Sequence, residues 1–348
     1  MATRKDFELD LLRKAVAAVK FHIAEQADLE TLDFKPLSRD RNLPNAQVRL
    51  KAGNKETVYH AEIKADFSHA VRLYLLMKKS SFERPLLLVT SYVNPKMADQ
   101  LKLDGLEFID TAGNVFIHRA PLYVFVKGNK LPDRAPLATS PRMFKVSGLK
   151  IVFAFLCRPD LLNKTYREIA VATGVALGTV DWIMAELKDG LFFVDMAKGN
   201  RRLARKDDLF LRWVAAYPER LRPRLHLGRY QGEPGWWEKA NLRQWDAQWG
   251  GEVAAARITG YLSPELATVY LPPSKLNDFL VGNRLRRDDA GSIEVLERFW
   301  PTGDHSETQE TVHPILIYAD LVATGNERNI EAAKIIYDRH IVRYLRED

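Results

Sequence analysis

Between residues 165 and 205 the chain carries the local signal that most narrows its fold. Thr165-Tyr166-Arg167-Glu168 is a Thr-x-x-Glu box, in which hydroxyl and carboxylate satisfy two backbone amides left over at a helix start. The helix it opens passes Ile169 and Ala170 and reaches Gly174, a residue suited to a left-handed helix end. A second helical pattern begins near Ala176 and runs to Asp189-Gly190, and its 3.6-residue spacing buries Val180, Ile183, Met184 and Leu187. Two short stretches, 191–194 and 202–204, then flank a tip at Lys198-Gly199-Asn200. With a buried helix over 148–157, the pattern predicts a winged helix-turn-helix over residues 141–217.

A recognition helix puts its N-terminal side chains on base edges, while the wing grips backbone or minor groove. The candidate DNA-binding residues are therefore Thr165, Gly178, Thr179, Asp181 and Trp182 on the helices, and Lys198, Asn200, Arg201, Arg202 and Arg205 on the wing. Small Gly178 permits close approach, and Thr179 reaches a base edge or a phosphate. Charge points the same way. The net +7 is concentrated in residues 140–224, with 16 Lys+Arg against 9 Asp+Glu, and reverses from residue 225 onward, with 14 against 19. A basic segment of this kind suits a polyanion, above all nucleic acid. The alternative is a winged helix used only for protein contacts, with Thr179 doing no more than capping its helix.

Two Pro- and charge-rich stretches, Lys130 to Pro136 and Pro218 to Pro223, read as linkers. They divide the chain into residues 1–135, 141–217 and 225–348. In the first segment Phe7, Leu11, Leu12, Ala15, Val16 and Val19 define one helical face. Strand-like runs at 46–50 and 57–64 follow, joined by Ala52-Gly53-Asn54. A helix over 68–79, a strand over 85–90, a helix opened by Asn94-Pro95 and strands near 106–109, 115–118 and 122–126 complete an α/β domain with a mixed sheet. The last segment is α+β with no legible topology. It holds Trp236, Trp237, Trp245 and Trp249, strand-like pieces at 268–271 and 292–299, and helices after His313-Pro314 and Asn326. The whole reads as a multidomain α+β protein.

Other chemistry is sparse. Alternation puts His60, Glu62 and Lys64 on one face of their strand. A Glu-x-Lys at a strand end can hold a divalent metal and position a water for phosphodiester attack, although Glu186-Leu187-Lys188 repeats the tripeptide inside a helix. Asp110-Thr111-Ala112-Gly113-Asn114 reads as a turn held by its own side chains, or else as a phosphate-contacting loop. Asp320, Arg328 and Glu331 form a candidate acid–base cluster, or, for the last two, a plain helical pair. Cys157, the single cysteine, falls on an apolar face and fits a reducing cytosol. With no apolar stretch after the N-terminal MATRKDFELD and no apolar run near the roughly 20 residues that span a bilayer, a cytoplasmic protein without a membrane partner is expected. No structural zinc or P-loop pattern occurs.

Two resemblances follow. The order of elements around Glu62 and Lys64 resembles the PD-(D/E)XK restriction-endonuclease fold, which implies those two residues as catalytic and Mg²⁺ as cofactor. The departure is Asn45, near where that fold has an Asp ligand, since a neutral amide suits a hard cation poorly. A degenerate scaffold without cofactor is the expectation, and a metal-dependent nuclease guided by the winged helix is the alternative. The stretches Tyr166 to Ala170, Val175 to Val180, Asp110 to Asn114 and Tyr318 to Leu321 resemble AbiEi-like antitoxins of type IV toxin–antitoxin systems. That resemblance implies a transcriptional autorepressor acting on double-stranded DNA, its own operator. It also implies a genetically linked nucleotidyltransferase-like toxin, countered without a required stable complex. A homodimer is left open, and a third reading is a scaffold that binds protein through the Trp-rich acidic C-terminal segment.

Overall fold

The computed structural model describes residues 4–23, 27–34, 46–64, 67, 69–79, 82–131, 142–196, 199–300 and 310–346. Two compact units divide the chain, Met1–Leu137 and Ala138–Asp348. Each is a mixture of helices and sheet. Among the described residues no single helix is long and apolar enough to cross a membrane.

The first unit runs α1 (Arg4–Ile23), β1 (Asp28–Phe34), β2 (Ala46–Ala52), β3 (Lys55–Lys64), α2 (His69–Lys79), β4 (Leu86–Thr90), α3 (Pro95–Leu103), β5 (Glu107–Asp110), β6 (Val115–Arg119) and β7 (Leu122–Val126). Its seven strands lie in sequence order across one sheet. β1 to β3 are antiparallel, β3 to β5 are parallel through the two helical crossovers, and β5 to β7 are antiparallel again. The helical face expected in α1 buries Leu11, Leu12, Ala15, Val16 and Val19 against Tyr59, Ala61, Ile63, Leu87, Val89 and Ile109. The Phe7 side chain lies outside the described residues. Burying one alternate set of β3 turns His60, Glu62 and Lys64 to the opposite face, as the period of two requires. Asn94 caps α3, its side chain accepting from the Met97 amide at 2.9 Å, ahead of Pro95.

The second unit runs α4 (Val146–Cys157), α5 (Tyr166–Thr173), α6 (Leu177–Asp189), β8 (Phe193–Asp195), β9 (Arg201–Leu203) and α7 (Lys206–Ala216). It continues with α8 (Arg222–Leu225), β10 (His226–Gln231), α9 (Trp236–Lys239), β11 (Gln248–Gly250), α10 (Gly251–Thr259), β12 (Ala267–Leu271), α11 (Leu276–Gly282), β13 (Arg286–Arg287), β14 (Ile293–Glu297), α12 (Pro314–Thr324), α13 (Glu327–Ile336) and α14 (Val342–Arg346). Among the described residues β8 pairs only with β9, and the other strands form a five-stranded sheet ordered β11-β12-β14-β10-β13.

The stretch from Pro218 to Pro223, expected to be a linker, is helical. A π-helical turn, Tyr217–Leu221, joins α7 directly to α8, and Pro218 and Pro223, which lack an amide proton, interrupt the hydrogen-bond ladder there. Tyr217, Leu221 and Leu225 are buried. Trp213 stacks between Phe153 at 5.2 Å and Tyr217 at 5.0 Å, and its indole donates to the Leu149 carbonyl at 2.8 Å. Phe153 also meets Phe299 at 5.1 Å. One aromatic core thus runs from α4 into the loop after β14. Proline and charge density resembled a linker because the buried side of this segment is carried by only a few residues.

Candidate nucleic-acid interface

The candidate interface is built on α5 and α6, which meet at an angle of 107°. The capping box forms as expected: the Glu168 amide donates to Thr165 Oγ1 at 3.2 Å, and the Thr165 amide donates to the Glu168 carboxylate at 2.8 Å. The Thr165 hydroxyl, which donates to the Glu168 carboxylate at 2.7 Å, and after it the Thr165 amide hold that carboxyl below the usual carboxylate range. Gly174 ends α5 at φ 64°, a left-handed conformation that disfavours residues with a Cβ. The turn then delivers α6 with Val180, Ile183, Met184 and Leu187 buried.

The opposite face of α6 is open to solvent. Gly178 and Asp181 are exposed, Thr179 is half-buried, and Trp182 is 59% exposed. The Arg142 guanidinium lies over the Trp182 ring, 4.7 Å from its centroid. Arg142, Lys145, Ser147, Thr179 and Trp182 together line a cleft of ≈ 390 Å³. Two cations, two hydroxyls and an exposed indole are the groups that grip phosphate oxygens and stack on sugar or base. Arg142 and Lys145 were not among the candidates. Their only sequence signal is a pair of basic residues just ahead of α4. Glu186 holds this edge in place, its carboxylate accepting from the Met143 amide at 2.9 Å.

The wing arginines are not equivalent. Asn163 accepts from the Arg201 amide at 2.6 Å and donates to the Arg201 carbonyl at 3.0 Å. The Arg201 guanidinium donates to the Leu162 carbonyl at 3.3 Å and lies 5.6 Å from the Tyr166 ring. Arg205 is turned inward: it donates to the Gly190 carbonyl at 2.9 Å, pairs with Asp208 and lies over Phe192 at 4.9 Å. Arg202 and Asn200 are exposed. Lys198 lies outside the described residues. Lys188 and Asp195 pair at 2.8 Å beside the wing, which raises the lysine pKa and lowers that of the carboxyl.

The remaining candidates resolve into internal networks. Glu62 and Lys64 are both buried and lie 3.7 Å apart. Among the described residues no three His, Cys, Asp or Glu side chains could share an ion, and Asn45 lies outside them. Asp110 accepts from the amides of Val93, Ala112 and Asn114 and from the Asn114 side chain, all at 2.8–2.9 Å. Burial pushes its carboxyl up, against the pull of those donors. The amides of Ala112 and Asn114, donors that a phosphate-contacting loop would offer, are committed to this carboxylate, which speaks against the phosphate-loop alternative.

The candidate cluster of Asp320, Arg328 and Glu331 is not a cluster. Asp320 accepts from Arg222 at 3.1 Å and from the hydroxyls of Tyr217 at 3.0 Å and Tyr270 at 2.9 Å. Arg328 pairs with Glu265 at 2.9 Å and Glu252 at 3.4 Å, while Glu331 accepts from Tyr261. Helical spacing put Arg328 and Glu331 near each other, but tertiary partners took them in different directions.

No curated protein and no solved structure matches the chain. Of the four stretches that carry the resemblance to antitoxins, only Tyr318 to Leu321 falls inside the matched region described next. From β9 to the start of α14, residues 202–342, the chain matches the family described as a transcriptional regulator, the AbiEi antitoxin of type IV toxin–antitoxin systems.

Proposed function

We propose that this protein is a DNA-binding autorepressor of a type IV toxin–antitoxin operon. In this reading α6 enters the major groove of its own operator, and the Arg142–Trp182 edge holds the flanking backbone. The genetically linked toxin, a nucleotidyltransferase-like protein, is countered without a required stable complex. One observation carries the reading: the solvent face of α6 and the residues just ahead of α4 bring Thr179, Trp182, Arg142 and Lys145 into one cleft, on the helix that leads into a two-stranded hairpin. The family match supports the regulatory half. The test is binding to the duplex upstream of its own gene at several salt concentrations, with and without Mg²⁺. About 5 phosphate contacts give a log–log slope near −0.9 per contact. A flat salt dependence rules the reading out.

A second reading, a Mg²⁺-dependent nuclease, draws on the first unit. The helix, three antiparallel strands, crossover and parallel strand, with Glu62 and Lys64 at the end of β3, suit a restriction-endonuclease scaffold. The donor set does not suit the ion. Lys64 faces Glu62, Asp110 is saturated by four donors, and hard cations need several free oxygens. We therefore assign the first unit as a degenerate scaffold with no cofactor. Metal-dependent nicking that disappears in Glu62→Ala would overturn that assignment.

A further inference from the structure

The second unit holds a groove away from the winged helix in sequence, lined by residues between 231 and 286. Its volume is ≈ 690 Å³, within the range of small-molecule sites. Trp236 and Trp245 are half-buried and pack edge-on against Phe279 at 5.8 and 5.5 Å, forming an apolar, aromatic wall. Lys239, Arg284 and Arg286 supply three exposed cations around it, against the single carboxylate of Glu233. This local excess opposes the acidic balance of the chain from residue 225 onward. The amide side chains of Asn241 and Gln244 also line the groove.

Arg284 is the most informative residue. It follows α11 at φ 52°, in the left-handed position where the amides of Arg284 and Leu285 close the helix end on the Val281 and Leu280 carbonyls at 3.1 and 3.0 Å. Glycine is the unstrained residue at such a position. Other arginines of this unit in tight geometry are held by partners, as Arg205 is by Gly190 and Asp208. Among the described residues the Arg284 side chain has no hydrogen bond or ion pair. A strained backbone that presents an uncommitted cation to an aromatic groove fits a ligand rather than the fold.

We propose that this groove binds a nucleotide, its phosphates on Arg284, Arg286 and Lys239 and its base against Trp236 and Trp245. Aromatic side chains stack on any base, and guanidinium groups pair with phosphate oxygens. The ligand is either a free nucleotide or a nucleotide of a single strand.

The experiment titrates the full chain, presaturated with operator duplex or a random duplex, with each nucleoside triphosphate, a short single-stranded oligonucleotide and a poly-glutamate peptide. Tryptophan fluorescence and calorimetry are the readouts. Saturable binding of a triphosphate identifies the free nucleotide as ligand, and binding of the oligonucleotide alone identifies the strand. Arg284→Gly should weaken that binding tenfold or more, leave duplex affinity unchanged and keep or raise the melting temperature, because glycine relieves the turn. Arg286→Glu should weaken it at least as much. Wild-type protein that binds neither nucleotide nor strand overturns the proposal, as does binding of the peptide only. Arg284→Gly that binds like wild type overturns it too. None of these outcomes depends on whether the winged helix recognises an operator.

Discussion

Arg222→Met should destabilise the second unit by about 3 kcal/mol. Its guanidinium donates to Asp320 at 3.1 Å and to both Glu294 oxygens at 3.1 and 2.6 Å. The two carboxylate side chains are 2% and 6% exposed, and the arginine itself 22%. Breaking a buried ion pair from one side costs about 3–5 kcal/mol, because the remaining charge stays desolvated. The partial exposure of Arg222 places the change at the low end. All seven tryptophans, from Trp182 to Trp300, lie in the second unit, so fluorescence during urea unfolding reports that unit alone. With m near 2–3 kcal/mol/M, the midpoint should fall by roughly 1 M. A flexible linker arginine would change stability by under about 0.5 kcal/mol. Adding Asp320→Asn and Glu294→Gln to Arg222→Met should recover part of the loss, since the stranded charges are then gone. A midpoint within about 0.2 M of wild type would refute both the ion-pair reasoning and the continuity of α7 with α8.

Three further outcomes are expected. Asp110→Ala leaves four donors around residues 91–114 without their acceptor, and should cost about 2–4 kcal/mol, read as faster amide exchange at Val93, Ala112 and Asn114; unchanged exchange would contradict the turn's role. Trp182→Ala should weaken duplex binding at an unchanged melting temperature, whereas Arg205→Ala should lower the melting temperature and leave the salt slope alone; the reverse pattern would move the interface from α6 to the wing base. Burial lowers the His313 pKa to about 4, below an unfolded value near 6.5, so the unfolded chain takes up the proton first. Stability present above pH 6.5 is then lost as pH falls toward 4, by about 3 kcal/mol at most, and His313→Asn, which keeps an N-cap for α12, should flatten that slope in acid titrations followed by fluorescence.

Helices α5 and α6 and the turn between them were legible because their determinants are local. A Thr-x-x-Glu box, a glycine at a helix end and a 3.6-residue apolar stripe act over a few residues and leave little to tertiary context. The same holds for Asn94-Pro95 and for the alternation of β3. The Pro218 to Pro223 stretch was misread because its partners, Phe144, Glu294 and Asp320, are all distant in sequence. β1, the order of the five-stranded sheet and the Trp-lined groove were equally out of reach, since nothing local marks which strands pair.

Charge was the least decodable signal, and the wing shows why. Arg201, Arg202 and Arg205 are indistinguishable by composition, yet the desolvation cost of a guanidinium is met differently at each position. Arg205 lies under the hairpin because Asp208, one turn into α7, and the Gly190 carbonyl satisfy it there. Arg201 is held by Leu162 and the ring of Tyr166, which ties the wing to the capping box of α5. An arginine already satisfied by the fold gives up those partners if it turns to a phosphate, so it adds little to binding. The cations best able to meet a polyanion are those whose neighbours are apolar or hydroxylic rather than acidic. Arg142 over Trp182, beside Ser147 and Thr179, meets that criterion, which is why the proposed interface centres on α6 and the residues just ahead of α4 rather than on the basic hairpin that the residue count favours.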